Sequence, residues 1–95
     1  MNIQIQSINF TLARNLKKFI YNKLEKLISI NDSLINADIY LKVERPESHE
    51  NKIVEIKIHS SNGFFFAKKQ SDTFEESADL VTQALRKQII KSKNK

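Results

Sequence analysis

The spacing of apolar residues along this chain switches from two to about 3.6 and back, and that switching limits the folds open to it. Ile3 and Ile5, followed by Ser7, alternate with Gln4 and Gln6, which predicts a strand with one buried face. Leu12, Leu16, Phe19, Ile20, Leu24 and Leu27 then recur at helical spacing. Thr11 stands where its hydroxyl would cap that helix, and Asn31-Asp32-Ser33 breaks the pattern. Alternation returns at Ala37, Ile39, Leu41 and Val43, and again at Val54, Ile56 and Ile58. Between these two strands Arg45 to Asn51 is polar and holds the only proline, so it reads as a loop. Asn62-Gly63 is a hairpin turn signal, and Phe64 to Lys69 reads as a fourth strand. Thr73-Phe74-Glu75-Glu76 is a capping box that opens a last helix with Ala78, Val81, Leu85 and Ile89 as its buried stripe. The order is β-α-β-β-β-α. It predicts an α+β fold, a four-stranded sheet with two helices packed on one face and the other face open to water.

A chain of 95 residues is expected to form a single domain, 1–95. Burial of roughly 60–65% of its unfolded surface makes one core feasible without staples. There is no cysteine, which excludes disulfides, thiolate metal sites and cysteine nucleophiles. The start Met-Asn-Ile-Gln-Ile-Gln lacks the basic and apolar regions of a signal peptide. No apolar run approaches the ~20 residues that span a bilayer. The expectation is a small cytoplasmic protein with no membrane contact.

Charge is unevenly placed. The last acid is Asp79, and beyond it come Arg86, Lys87, Lys91, Lys93 and Lys95, which together equal the formal excess of +5. The first helix repeats the bias, with Arg14, Lys17, Lys18, Lys23 and Lys26 against Glu25 alone. Cations gathered on two helices point to a polyanion, most often nucleic-acid phosphate. Lys87 and Lys91 are four apart, and Lys23 and Lys26 three apart, so each pair shares a helix face. With the helices side by side, these four would form a strip along a phosphate-lined groove. The ordinary alternative is a solvated face that assists the helix dipole and solubility.

Thr11-Leu12-Ala13 followed by Lys23-Leu24-Glu25-Lys26-Leu27, then Ile39-Tyr40-Leu41-Lys42-Val43-Glu44, then Asp79, Leu85, Gln88-Ile89, Lys91 and Lys93, occur in that order and on matching elements. In these segments the chain resembles the ribosome hibernation-promoting factor family, which includes the ribosome-associated inhibitor. It departs from the family at Thr73-Phe74-Glu75, where an Asp-Met-Tyr type sequence is usual, at Ala84 and at Ile28-Ser29. Ending at Lys95, it looks like the short form. The resemblance implies a stress-linked factor that binds the small ribosomal subunit, its rRNA and proteins, in the channel of mRNA and the A- and P-site tRNAs. It further implies inhibition of translation and promotion of inactive ribosome dimers. Candidate rRNA contacts are Lys23, Lys26, Arg86, Lys87, Lys91, Lys93, Arg14 and Lys17. A monomer when free, without cofactor or metal, is expected.

Phe64 and Phe66 fall on the face opposite Phe65 and Ala67, and stand on the open side of the sheet beside Tyr40 if the helices cover the Phe65 side. Aromatics so placed stack single-stranded bases in RRM-type domains, yet the basic-Gly-aromatic signature of those domains is absent; hydrophobic cover or an association surface is the ordinary account. His49 and His59 lack partners at metal-ligand spacing. No phosphate-cradling glycine loop, nucleophile elbow or zinc motif is present, so an enzyme is not expected. Two other functions fit the residues: a general structured-RNA-binding domain, and a protein-interaction module using the open aromatic sheet face.

Overall fold

Alternating and helical segments fold in the predicted order. In the computed structural model, which describes residues 2–8, 10–44 and 50–93, the elements are β1 (Asn2–Ile8), α1 (Arg14–Ile28), β2 (Leu34–Val43), β3 (Lys52–Ser60), β4 (Gly63–Ser71) and α2 (Phe74–Lys93). Most of the polar 45–51 loop, His49, Lys95 and the side chain of Lys93 lie outside the described residues. The sheet order is β1-β2-β3-β4, with β1 parallel to β2 and the other pairs antiparallel. A parallel neighbour requires a crossover, and α1 supplies it.

The register sorts the sheet into two faces. Ile5, Ile39, Ile56 and Ala67 lie across from one another, as do Ile3, Ala37, Ile58 and Phe65. These residues join Ile20, Leu24 and Leu27 of α1 and Ala78, Val81, Leu85 and Ile89 of α2 in one apolar cluster. Both helices therefore cover one face. Burying a branched aliphatic side chain contributes about 1.5–3 kcal/mol, so the stripe-to-sheet contact supplies most of the fold's stabilisation. The opposite face carries Gln4, Asp38, Lys57 and Phe66 in one row and Gln6, Tyr40, Glu55 and Lys68 in the next.

Local chemistry fixes the element ends. Thr73 Oγ1 accepts the Glu76 N–H at 3.1 Å and starts α2 as the sequence predicts. At α1 the outcome differs: the N-cap is Ala13, with no side-chain cap, and the helix begins at Arg14 rather than directly after Thr11. Just ahead of α1, the ring of Phe10 stacks on that of Phe74, the first residue of α2, with centroids 4.7 Å apart. The β3–β4 turn is centred on Ser61-Asn62, one residue earlier than the Asn-Gly pair suggests, and Gly63 opens β4 paired with Ser60. Gly63 has φ +141°, a backbone state that side-chain-bearing residues rarely adopt. Beneath α2, the buried Ser77 Oγ donates to the Lys52 carbonyl at 2.6 Å and lies 2.7 Å from Ser71 Oγ. That small polar network pins the first turn of α2 to β3 and β4. Among the described residues no helix is long and apolar enough to cross a membrane.

Candidate nucleic-acid interface

With α1 and α2 side by side on the sheet, their facing flanks enclose a groove of about 330 Å³. Lys23, Lys26 and Ile30 line it from α1 and the turn after it, and Asp79, Gln83 and Arg86 from α2. Lys23 faces Asp79 near one end and the 26–30 segment faces the turn of Arg86, so the helices run in the same direction. Three cations thus converge on one cleft with one carboxylate.

That carboxylate is not idle. Lys23 Nζ donates to Asp79 Oδ1 at 2.7 Å, and Gln83 Nε2 donates to Asp79 Oδ2 at 3.0 Å. The Lys23 hydrogen bond holds the Asp79 carboxyl below its ordinary value, with Lys26 and Gln83 adding to the effect against a desolvation cost. Lys23 is held from the other side as well, its Nζ 5.4 Å from the Phe19 ring centroid. Of the three cations in the cleft, Lys23 is the restrained one and has its charge matched locally; Lys26 and Arg86 are exposed.

The other predicted contacts are distributed more widely than a single strip. Arg14 and Lys17 line a shallow hollow on α1 with Lys18, Tyr21 and Asn22, and Lys17 Nζ lies 5.9 Å from the Tyr21 ring. At 100° per residue, Lys17 and Lys23 point about 120° apart around α1. Lys87 is exposed on α2. Lys91 lines a hollow at the β3–β4 hairpin with Phe64, Asn62 and Gln88. The strip expected from Lys23, Lys26, Lys87 and Lys91 is therefore replaced by a groove in which Arg86 takes the α2 position. The Val81–Leu85–Ile89 stripe fixes which side of α2 faces the sheet, and Arg86 lies on the flank that this leaves toward α1. Lys18, absent from the predicted contacts, shares the α1 hollow; its charge and its phase opposite the apolar stripe were the available signals. Among the described residues no group of His, Cys, Asp or Glu is arranged to hold a metal ion. His59 Nε2 lies 3.5 Å from Asp38 Oδ2 across β2 and β3.

The family model described as Sigma 54 modulation protein / S30EA ribosomal protein matches residues 3–95. The chain belongs to that family. The resemblance to hibernation-promoting factors seen in the sequence is thereby upheld over nearly its whole length. Among solved structures, the chain is similar to a ribosomal subunit interface protein from Coxiella burnetii, with a TM-score of 0.89 at 23% identity and 100% of each chain covered. It is also similar to the N-terminal domain of Thermus thermophilus Protein Y, with a TM-score of 0.81 at 18% identity, covering 94% of this chain and 96% of the other. At such identities these likenesses establish the shared fold, including the side-by-side helices that form the groove. Comparison with curated proteins gives no significant match.

Proposed function

We propose that this protein is a cytoplasmic ribosome hibernation factor that binds the small ribosomal subunit through its basic helix layer. Membership of the S30EA ribosomal protein family across residues 3–95 carries the reading. The likeness to a protein named for the ribosomal subunit interface supports it. So does the electrostatics of the helix layer, where Arg14, Lys17, Lys26, Arg86, Lys87 and Lys91 are all exposed.

In this reading the protein lies in the channel of mRNA and the A- and P-site tRNAs. The groove of Lys26 and Arg86 receives rRNA phosphates, Lys87, Lys91 and Lys93 extend the contact along α2, and Arg14 and Lys17 add a flank. Lysines suit this task because phosphate contact needs charge and reach rather than a fixed fork, while Arg86 adds a bidentate donor. Inhibition follows from occupancy of the channel, and no bond is made or broken. Idle ribosomes, blocked in this way, are then free to pair into inactive dimers.

The test is co-sedimentation with small subunits. The doubly reversed variant K87E/K91E is expected to stay folded and to lose binding; unchanged binding by a folded double variant removes Lys87 and Lys91 from the interface. Equal affinity for an isolated RNA duplex and for small subunits would instead mark a general structured-RNA binder.

A further inference from the structure

Phe64 is 60% exposed at the start of β4, the most exposed of the large apolar residues among those described. A phenylalanine left in water forgoes the stabilisation that burial would give, so core packing does not account for its position. The hairpin nevertheless places it with care. Gly63, with its positive φ, turns the chain into β4, and the register sets Phe64 opposite His59 on the face away from the helices.

One cation lies over this ring and a second lines the hollow beside it. Lys57 Nζ lies 4.4 Å from its centroid. On the hairpin side a hollow of about 410 Å³ is lined by Phe64, Phe65, Asn62, Gln88, Lys91 and Ser92, together with Ser60 and Gly63. Among the described residues no carboxylate lines the hollow. The wall combines an aromatic surface, a cation and a set of amide and hydroxyl groups. Phe66, 45% exposed, stands two residues further along the same face, about 6.8 Å away along the strand.

We propose that the β3–β4 hairpin is a nucleobase-stacking site for an unpaired RNA strand, with Phe64 as the platform and Lys57 and Lys91 as phosphate contacts. A base in the hollow lies on the Phe64 ring. The phosphates on either side of it reach Lys91 at the helix end and Lys57 on the sheet. Phe66 is placed to take the next base. Stacking needs an exposed base face, which an unpaired strand offers and a duplex does not. The exposed aromatics do not merge into one apolar patch: Glu55 stands across from Tyr40, whereas Phe66 has Lys57 across from it and Lys68 two residues further along the strand, so the charge beside the phenylalanines favours RNA over a protein partner. This site lies outside the helix groove and shares only Lys91 with the proposed ribosome contact; its Phe64 platform does not depend on the ribosome reading.

The experiment titrates the full chain into a fluorescently labelled single-stranded oligouridine of roughly 12 nucleotides, within the span of known single-strand sites, and into an RNA duplex of equal length, both at low salt. Phe64→Ala is expected to weaken oligouridine binding roughly 5- to 150-fold, the equivalent of about 1–3 kcal/mol per stacked base. Duplex binding should not change, and Phe64→Tyr should retain most single-strand affinity. Addition of oligouridine should shift the Phe64 ring-proton resonances upfield. Absent oligouridine binding, equal affinity of wild type and Phe64→Ala, or an equal loss for duplex and single strand overturns the proposal. Self-association that Phe64→Ala abolishes while RNA binding persists also overturns it and assigns the face to a second copy. Small-subunit co-sedimentation of Phe64→Ala is scored separately, so that failure of this site and failure of the ribosome reading are told apart.

Discussion

Replacing Asp79 by Asn should make the protein slightly less stable and at the same time a tighter RNA binder. The groove holds Lys23, Lys26 and Arg86 against Asp79, a formal charge of 3 − 1 = +2, and the substitution raises it to +3 while preserving shape. A phosphate seated about 7 Å from that carboxylate is repelled by about 0.6 kcal/mol in a water-like dielectric, or about a threefold difference in Kd. The water-like value is the appropriate one because the side chains of Lys23 and Asp79 are 27% and 42% exposed. The same exposure limits the ion pair to about 0.3–1 kcal/mol of stability. The Asp79 carboxyl is held below 3.8 in the folded protein. Its contribution is therefore present above pH ~3.8 and lost as pH falls through the lower folded value. Thermal melts should show a small deficit for Asp79→Asn at pH 7 that closes below pH ~3.8. Binding to small ribosomal subunits, measured by anisotropy at low salt, should tighten about threefold, and the gain should vanish as salt screens the groove. Weaker binding by a folded Asp79→Asn protein would refute this reasoning. It would mean that Asp79 matters by aiming Lys23 at the ligand rather than by opposing it.

Other substitutions probe the frame and the charge layer. Ser77→Ala removes the hydroxyl that donates to the Lys52 carbonyl in a buried site, while Ser71 Oγ keeps its bond to the Thr73 carbonyl, and is expected to cost about 1 kcal/mol in denaturant unfolding; no loss would show that the network does not anchor α2. Gly63→Ala meets no atom within 4 Å, so its cost is conformational, about 1–2 kcal/mol by thermal melting; a neutral result would mean that the turn shifts to relieve the positive φ. Neutralisation of about five phosphates gives a log–log salt slope near −4 for small-subunit binding, and a slope near zero would remove electrostatics as the driving force.

Much of the fold is written in local pattern. The alternation at Ala37, Ile39 and Leu41 and the stripe at Ala78, Val81, Leu85 and Ile89 report burial directly, and all seven residues are buried. Thr73 is legible because capping acts over a single turn. Thr11 misled because the helix begins three residues later, at Arg14 behind an Ala13 N-cap, and the Phe10–Phe74 stack just before it joins residues distant in sequence. The candidate interface was less legible for the same reason. Charge counts locate cations on helices, but which flank of α2 faces α1 depends on the sheet order beneath it. The Lys23–Asp79 pair spans 56 positions. No local spacing predicts that Lys23 is matched by a carboxylate, or that Arg86 completes the groove in place of Lys87. The Ser71–Ser77–Lys52 network is invisible for a further reason: serines in a capping region look like ordinary turn residues.

Sucrose-gradient sedimentation of ribosomes with and without the added protein tests the central claim most directly. The account predicts that the protein travels with the small subunit at low salt, is released as salt rises, and is lost from that fraction in the K87E/K91E variant. Protein that stays at the top of the gradient at low salt, or a folded variant that sediments like wild type, would contradict it.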